Sequence, residues 1–331
     1  MDLKYKLVLR CPVSGDEGKI RHKECVDQFF DTPGKWTYMK NLRTGHTWIR
    51  ELPNSEDQIS KLYENYYTHK TETKSKFLRE LDAASAFDLG YSSANHKSWF
   101  LAILRLLPSL TAASKLEWLN VPMDSFNSVL DFGCGSGALL KKYDIGTKTV
   151  VGYEPDPRAA NVAKKDGLVV FTSLDEISKR YDKFDLIIMS HVIEHLSNPQ
   201  LEIKKLIPLL SANGRIIITT PNANSLGHLI FGKYWRGLEP PRHFNIFTFS
   251  SMQEMAQNLN LEVTLCSTSR LARSIFFQSM LARMGYANTE MKKPKNRVLN
   301  VLGYVFQVVE HLYIKLRKQS GEELYVELRS K

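Results

Sequence analysis

Four cysteines in 331 residues, none within a Cys-x-x-Cys pair, are too few and too scattered for a disulfide framework. They fit a reducing compartment, and a cytoplasmic protein is expected. The first ten residues, MDLKYKLVLR, have no long apolar core, so no secretory signal is expected there. No stretch reaches the ~18 uninterrupted apolar residues of a membrane-spanning helix. Internal repeats and low-complexity tracts are lacking as well. Acidic residues are the minority sign: 35 Asp and Glu against 45 Lys and Arg leave a net charge of +10. That excess suits an acidic partner, whether a nucleotide, a phosphorylated glycan, nucleic acid or an anionic membrane. What remains, 43% hydrophobic and 24% charged, is the make-up of a globular protein, long enough for one large domain with appendages or for two.

The chain is organised around residues 129–154. Residues 129–132 form a short apolar strand with Asp131 near its end, and Gly133, Gly135 and Gly137 follow in a turn with little side chain. A helix opens at Ala138, and residues 149–153 make a second apolar strand that stops at Glu154. A strand, a glycine turn, a helix and a second strand are half of an open parallel α/β sheet, with a nucleoside-sized crevice at the strand ends. Glycines there let a ligand lie against backbone N–H groups. An acid about 20 residues on can accept both hydroxyls of a ribose. Gly133-x-Gly135-x-x-Ala138 also satisfies the dinucleotide fingerprint. Asp131 argues against NAD, since a pyrophosphate would meet like charge, whereas a cofactor with a cationic end would meet its counter-ion.

The run Asp131-Phe-Gly133-Cys134-Gly135-Ser-Gly137 resembles the D/E-x-G-x-G-x-G motif of class I S-adenosylmethionine-dependent methyltransferases. The resemblance implies a doubly wound, Rossmann-like α/β sheet of seven strands with an antiparallel last strand. It also implies S-adenosylmethionine as cofactor, held by Asp131, Gly133, Cys134, Gly135, Gly137, Glu154 and Pro155. Ser173 and Leu174, after a third strand at 168–171, fall where the family contacts adenine. Ser190 and His191, after a fourth strand at 184–190, fall near the methionine end. His191-Val-Ile-Glu194-His195 also reads as an inverted zinc-protease motif. It follows directly on a strand, however, and Leu196-Ser-Asn-Pro199 breaks it one turn later. It resembles the H-V-L-E-H-L-x-x-P segment that follows strand four in these methyltransferases, and no metal is expected.

A fifth strand at 215–220 leads into an insert, 222–247, that contains Trp235-Arg-Gly-Leu-Glu239-Pro-Pro-Arg242-His243. This resembles the W-x-G-L-E-P-P-R-H insert of methyltransferases linked to cell-surface polysaccharide and natural-product pathways. Arg242 is expected to pair with an anionic group of the acceptor. His243 is expected to take the acceptor's proton, and His195, a second catalytic candidate, to fix the turn after strand four or face the substrate. Residues 261–267 and 322–329 read as the last two strands, the latter antiparallel beside strand five. Between them 270–320 reads as a helical insert whose stretch 297–318 is apolar on several faces with basic ends, which suits a peripheral membrane contact or dimerisation. At the other end, residues 1–60 resemble a small β-rich zinc ribbon that has lost its ligands: Ser14, Asn41 and Thr44 stand at knuckle positions. Only Cys11, His22, Cys25 and His46 are left to improvise a site. Residues 61–124 read as a helical linker or cap, and 125–331 as the methyltransferase domain. The function expected is methyl transfer to a small-molecule or glycan-type acceptor, one that can be anionic, most readily at oxygen. A non-catalytic cofactor-binding scaffold and an NAD-linked oxidoreductase are the alternatives. No dedicated nucleic-acid-binding module is visible.

Overall fold

A computed structural model describes residues 5–63, Leu89, Tyr91, 119–144, 146–268, 271–285 and 297–331. Most of the expected helical linker, including the apolar run 99–107, lies outside the described residues.

The N-terminal strands are β1 (Tyr5–Leu7), β2 (Lys19–Cys25), β3 (Trp36–Lys40), β4 (Thr47–Ile49) and β5 (Glu51–Pro53). The central strands follow as β6 (Ser128–Phe132), β7 (Thr149–Tyr153), β8 (Val170–Phe171), β9 (Phe184–Ser190) and β10 (Leu210–Pro221), then β11 (Asn245–Ile246), β12 (Leu261–Thr268) and β13 (Glu323–Ser330). Seven of them form one sheet in the order β12-β13-β10-β9-β6-β7-β8. This is the mixed, Rossmann-like methyltransferase sheet, and β13 is inserted antiparallel to both β10 and β12.

The parallel strands are apolar throughout because helices cover both faces. Leu186 to Met189 on β9 and Ile216 to Ile218 on β10 are fully buried. The crossover helix Pro157–Lys165 starts where Asp156 accepts the Arg158 N–H and Pro157 needs no donor, and Gly167 in the left-handed region (φ 83°) turns the chain back. Two strands differ by more than one residue from their sequence-predicted bounds. β8 begins only at Val170, since Leu168 belongs to a small apolar cluster with Cys134, Leu140 and Ala163. β10 begins at Leu210, and a register shift between Leu210 and Arg215 absorbs the Ala-Asn-Gly turn inside it.

The N-terminal sheet has the order β11-β4-β3-β2, so the insert after β10 lends it a strand, with Asn245 opposite Trp48. Two tight turns sit side by side, closed by Gly15 N–H to Cys11 C=O and Gly45 N–H to Asn41 C=O, both at 2.9 Å. Asn41 Nδ2 joins them, donating to Ser14 Oγ at 2.8 Å and to Asp16 Oδ2 at 2.9 Å. His22 pairs with His228 and His46 with Asn245, so the histidines that a ribbon would offer a metal are turned to other partners.

The insert is more ordered than its aperiodic sequence suggests. It contains the helix Leu226–Phe231, capped by Ser225, and two 3-10 turns at Gly232–Tyr234 and Arg236–Leu238. The later insert forms the helices Ala272–Arg283 and Arg297–Leu316, and the second exposes Val298, Val301, Val305, Leu312 and Leu316. No described helix is long and apolar enough to cross a membrane.

Candidate active site

The crevice lies where neighbouring strands on either side of β6 leave in opposite directions, towards β7 on one side and β9 on the other. Asp131 pairs across the sheet with Gly152 and Ile188, and Phe132 with Tyr153, so the ends of β6, β7 and β9 are aligned. Beyond them the Gly133 and Cys134 N–H groups donate to the Tyr153 carbonyl at 2.8 and 3.0 Å, folding the glycine turn back over β7.

Glu154 closes this turn. One carboxylate oxygen accepts the Gly135 N–H at 2.9 Å and the other the Asp156 N–H at 2.9 Å. Asp131, only 3% exposed, makes no side-chain hydrogen bond among the described residues. Burial, reinforced by the Glu154 charge, pushes its carboxyl up to about 7. A buried acid held against its own ionisation is a site awaiting positive charge.

The three glycines are not equivalent, which corrects the expectation that all three make room for a ligand. All have φ between 54° and 81°. A Cβ on Gly133 would come within 2.6 Å of Val192 Cγ2, and one on Gly137 would overlap the Leu168 Cδ1 methyl. These two are required by the protein's own packing. At Gly135 a Cβ would meet nothing within 4 Å, so this glycine alone faces open space. Cys134 turns its side chain into the core, where an added Cβ on Gly152 would lie 2.6 Å from its sulfur. Only its backbone faces the turn.

The remaining expected cofactor positions sit at the same end of the sheet. Pro155 is exposed beside Glu154, Ser173 caps the helix Leu174–Arg180 with extended backbone, and Leu174 packs on the main core. Ser190 Oγ lies 3.1 Å from Thr219 Oγ1 at the end of β9. His191 stands in the left-handed region (φ 56°) with Nδ1 3.2 Å from Glu194 Oε1 and Nε2 2.8 Å from Glu323 Oε1. Burial works against the imidazolium, but the two carboxylates outweigh it and raise His191 to about 9. Glu194, buried and also accepting from Thr220 Oγ1, is lowered to about 2, chiefly by His191 working against the effect of burial. Sequence reasoning missed Glu323, because it is 132 residues from His191 and only the β10–β13 pairing brings it near.

Beside this ion triad lie His195 and His243, with ring centroids 4.7 Å apart. His195 Nδ1 is 3.1 Å from the Arg242 carbonyl and 2.9 Å from Tyr63 Oη, and His243 Nδ1 is 2.8 Å from the Gly237 carbonyl. A carbonyl only accepts, so each Nδ1 carries a proton, and in the neutral ring Nε2 holds the lone pair. Burial lowers His243 to about 4, so it is neutral at physiological pH. His195 is half-buried and the more accessible of the two. Ligand atoms of Glu194, His195 and His243 lie within 4.8 Å of one another, a spacing that would also suit a metal ion.

Arg242 corrects an expectation. Its guanidinium is fully buried, with Nη2 2.9 Å from Asp27 Oδ2, Nε 3.0 Å from Glu239 Oε1 and Nη1 3.0 Å from Thr32 Oγ1, and it stacks on the Phe30 ring. Glu239 also pairs with Arg236. The arginine expected to meet an acceptor therefore ties the insert to the N-terminal sheet instead.

A family model described as a methyltransferase domain matches residues 91–265. Among curated proteins, a ubiquinone biosynthesis O-methyltransferase of Bradyrhizobium diazoefficiens is 30% identical over 103 residues, 29% of this chain and 40% of that protein. One from Cereibacter sphaeroides is 29% identical over 116 residues, 32% of this chain and 47% of that protein. The chain thus spans less than half the length of these relatives. Among solved structures, the plantazolicin methyltransferase BamL in complex with a triazolic desmethylPZN analog and SAH aligns with a TM-score of 0.42 at 20% identity, over 76% of this chain and 97% of that one. A SAM-dependent methyltransferase from Archaeoglobus fulgidus aligns with a TM-score of 0.42 at 17% identity, over 71% and 100%. With the matched model covering more than half of the chain and lying on the glycine turn, Glu154 and the post-β9 segment, this protein belongs to the methyltransferase-domain family, whose cofactor is S-adenosylmethionine.

Proposed function

We propose that this protein transfers a methyl group from S-adenosylmethionine to a hydroxyl of a small-molecule or glycan-type acceptor, in a cell-surface polysaccharide or natural-product pathway. The observation that carries the reading is the placement of two carboxylates, buried Asp131 and ribose-distance Glu154, on either side of a glycine that faces open space. When bound, the cofactor supplies a methyl group on a positively charged sulfur, already a good electrophile. Asp131 offers the counter-charge to the amino-acid end, and its raised pKa falls as that charge arrives. Gly135 and Glu154 meet the ribose, Ser173 and Leu174 border the adenine, and Ser190 and His191 border the methionine end.

The protein's main task is then to align a nucleophile, which lowers the barrier by restricting orientation. His195 is the residue we assign to accept the acceptor's proton, worth about 10²–10⁴-fold. Its Nε2 lone pair is available, its ring is held by the Arg242 carbonyl and Tyr63, and it is less buried than His243. His243 orients it edge-on, and Arg242 is a positioning residue that carries the carbonyl. Oxygen as the methylated atom is supported by the matched relatives, which are named O-methyltransferases. The exposed apolar face of Arg297–Leu316 supports contact with a membrane surface or a second copy.

The test is calorimetric titration with S-adenosylhomocysteine beside NADH, in wild type and Glu154→Ala. Micromolar binding of the thioether alone, weakened at least tenfold in the variant (about 1.5–3 kcal/mol for a charged hydrogen bond), supports the reading. Binding of NADH alone sinks it, and binding of neither removes the cofactor on which it rests.

A further inference from the structure

A cavity of about 660 Å³ that shares no lining residue with the cofactor crevice opens between β2, the start of the insert and the end of the helix Arg297–Leu316. Arg21, Lys40, Arg317 and Lys318 line it, and no acidic residue does. Arg21 is the informative one. It is partly buried, yet its guanidinium touches only neutral partners: Thr47 Oγ1 at 2.8 Å and the Ala223 carbonyl at 3.0 Å. Among the described residues it has no carboxylate partner, and three of its five N–H donors are uncommitted. A guanidinium taken out of water without a counter-ion is costly unless an anion arrives from outside.

The neighbourhood registers this unbalanced charge. Burial, then Arg21 and Lys233, lower His22 to about 4. Burial and Arg21 together lower Lys40 as well. Glu322, the carboxyl behind Ser225, does not relieve it. Its oxygens are taken by the Gly227 N–H at 2.7 Å and the Trp235 indole at 2.7 Å, and burial raises it to about 7.

We propose that this cavity is a second ligand site, distinct from the cofactor crevice, that takes a phosphate or diphosphate group. Four cations converging on one space match an anion of more than one charge. Two guanidinium forks beside two ammonium groups suit phosphate oxygens better than a single carboxylate. The group has two sources. It belongs either to a soluble phosphorylated molecule or to a lipid headgroup, because the apolar helix face ends at Leu316, exposed at 83% and next in sequence to Arg317 of the cavity lining. The proposal does not depend on which acceptor the methyl centre takes.

Inorganic diphosphate is titrated calorimetrically into the full chain in wild type, Arg317→Gln, Lys318→Gln and Arg21→Gln, with Lys315→Gln as a control that removes the same charge outside the cavity. Saturable binding is expected, weakened about tenfold by each cavity substitution, as for one charged hydrogen bond, and within twofold of wild type in Lys315→Gln. Arg317 and Lys318 are exposed, so their variants report even if Arg21→Gln does not fold. Absence of saturable binding, or an equal loss in the control, overturns the proposal. Co-flotation with phosphatidylcholine vesicles, with and without phosphatidic acid, then separates the sources. Flotation that requires phosphatidic acid and is displaced by diphosphate assigns the headgroup, whereas diphosphate binding without flotation assigns a soluble phosphate.

Discussion

Replacing Asp131 by Asn tests the electrostatic design of the cofactor crevice with two opposed readouts. The carboxyl is raised from 3.8 in an unfolded chain to about 7 by burial and by Glu154. An acid that binds its proton more tightly when folded helps stability at low pH, and that help is lost as the pH climbs through about 7. At 1.36 kcal/mol per unit, keeping this group in the folded protein costs about 4 kcal/mol at pH 8 and about 2 kcal/mol at pH 5 relative to an uncharged side chain. Asn has nearly the same shape and no charge, so the cofactor-free variant should be more stable than wild type. A gain in Tm of roughly 5–10 °C at pH 8 is expected, falling by about half at pH 5. The same change should weaken S-adenosylhomocysteine, whose ammonium loses its counter-charge, by about tenfold or more. Thermal unfolding at both pH values and calorimetric titration read the two effects. A variant that is less stable than wild type at pH 8, or a gain that does not change with pH, would refute the account of Asp131 as a strained, waiting charge.

Gly137→Ala should destabilise by about 1–3 kcal/mol through overlap with Leu168. Gly135→Ala meets no overlap, so it should lose only the roughly 1–2 kcal/mol of a left-handed non-glycine residue while cofactor affinity falls, and equal losses of Tm in the two variants would remove the distinction between them. His191, raised from 6.5 to about 9 between Glu194 and Glu323, contributes stability that is complete below pH 6.5 and disappears as the pH rises through about 9. Urea unfolding of wild type and His191→Gln should therefore differ strongly at pH 7 and converge near pH 10. Arg242→Met leaves Asp27 buried without its ion partner and Glu239 with Arg236 alone, a loss of about 3–5 kcal/mol, so activity should fall together with the folded fraction measured by circular dichroism. Full stability with lost activity would return Arg242 to the acceptor.

Much of the central sheet is legible in the sequence because parallel strands buried on both faces are written as uninterrupted apolar runs. Residues 184–190 and 149–153 coincide with β9 and β7. Caps are similarly local: Asp156-Pro157 states its own helix start. The site is legible only as far as its chemistry is local. Asp131, the glycine turn and Glu154 lie within 24 residues and announce a nucleoside crevice. What escapes is whatever depends on distant chain. Arg242 meets Asp27 across 215 positions, and its charge looks as available in the sequence as any surface arginine's would. Gly133 and Gly137 look like ligand glycines until Val192 and Leu168 arrive beside them. β11, two residues long, has no periodicity to read, and only its pairing with β4 makes it a strand.

That two-residue strand has a consequence for how the chain divides. The family model begins at residue 91, which invites truncation to a catalytic module. Such a protein would lose β4, against which β11 pairs, and Tyr38, whose hydroxyl lies 2.5 Å from the Leu238 carbonyl and 3.0 Å from the His243 carbonyl. It would also strand the Arg242 charge without Asp27. The peptide that carries Arg242 and His243, and through the Arg242 carbonyl the ring of His195, would lose its backing on one side. The N-terminal sheet therefore behaves as an external jig for the loop that carries Arg242 and His243, and the two should unfold as one cooperative unit. In this protein the matched domain carries the cofactor crevice, and the loop we assign to proton transfer is shared between the insert and the N-terminal sheet.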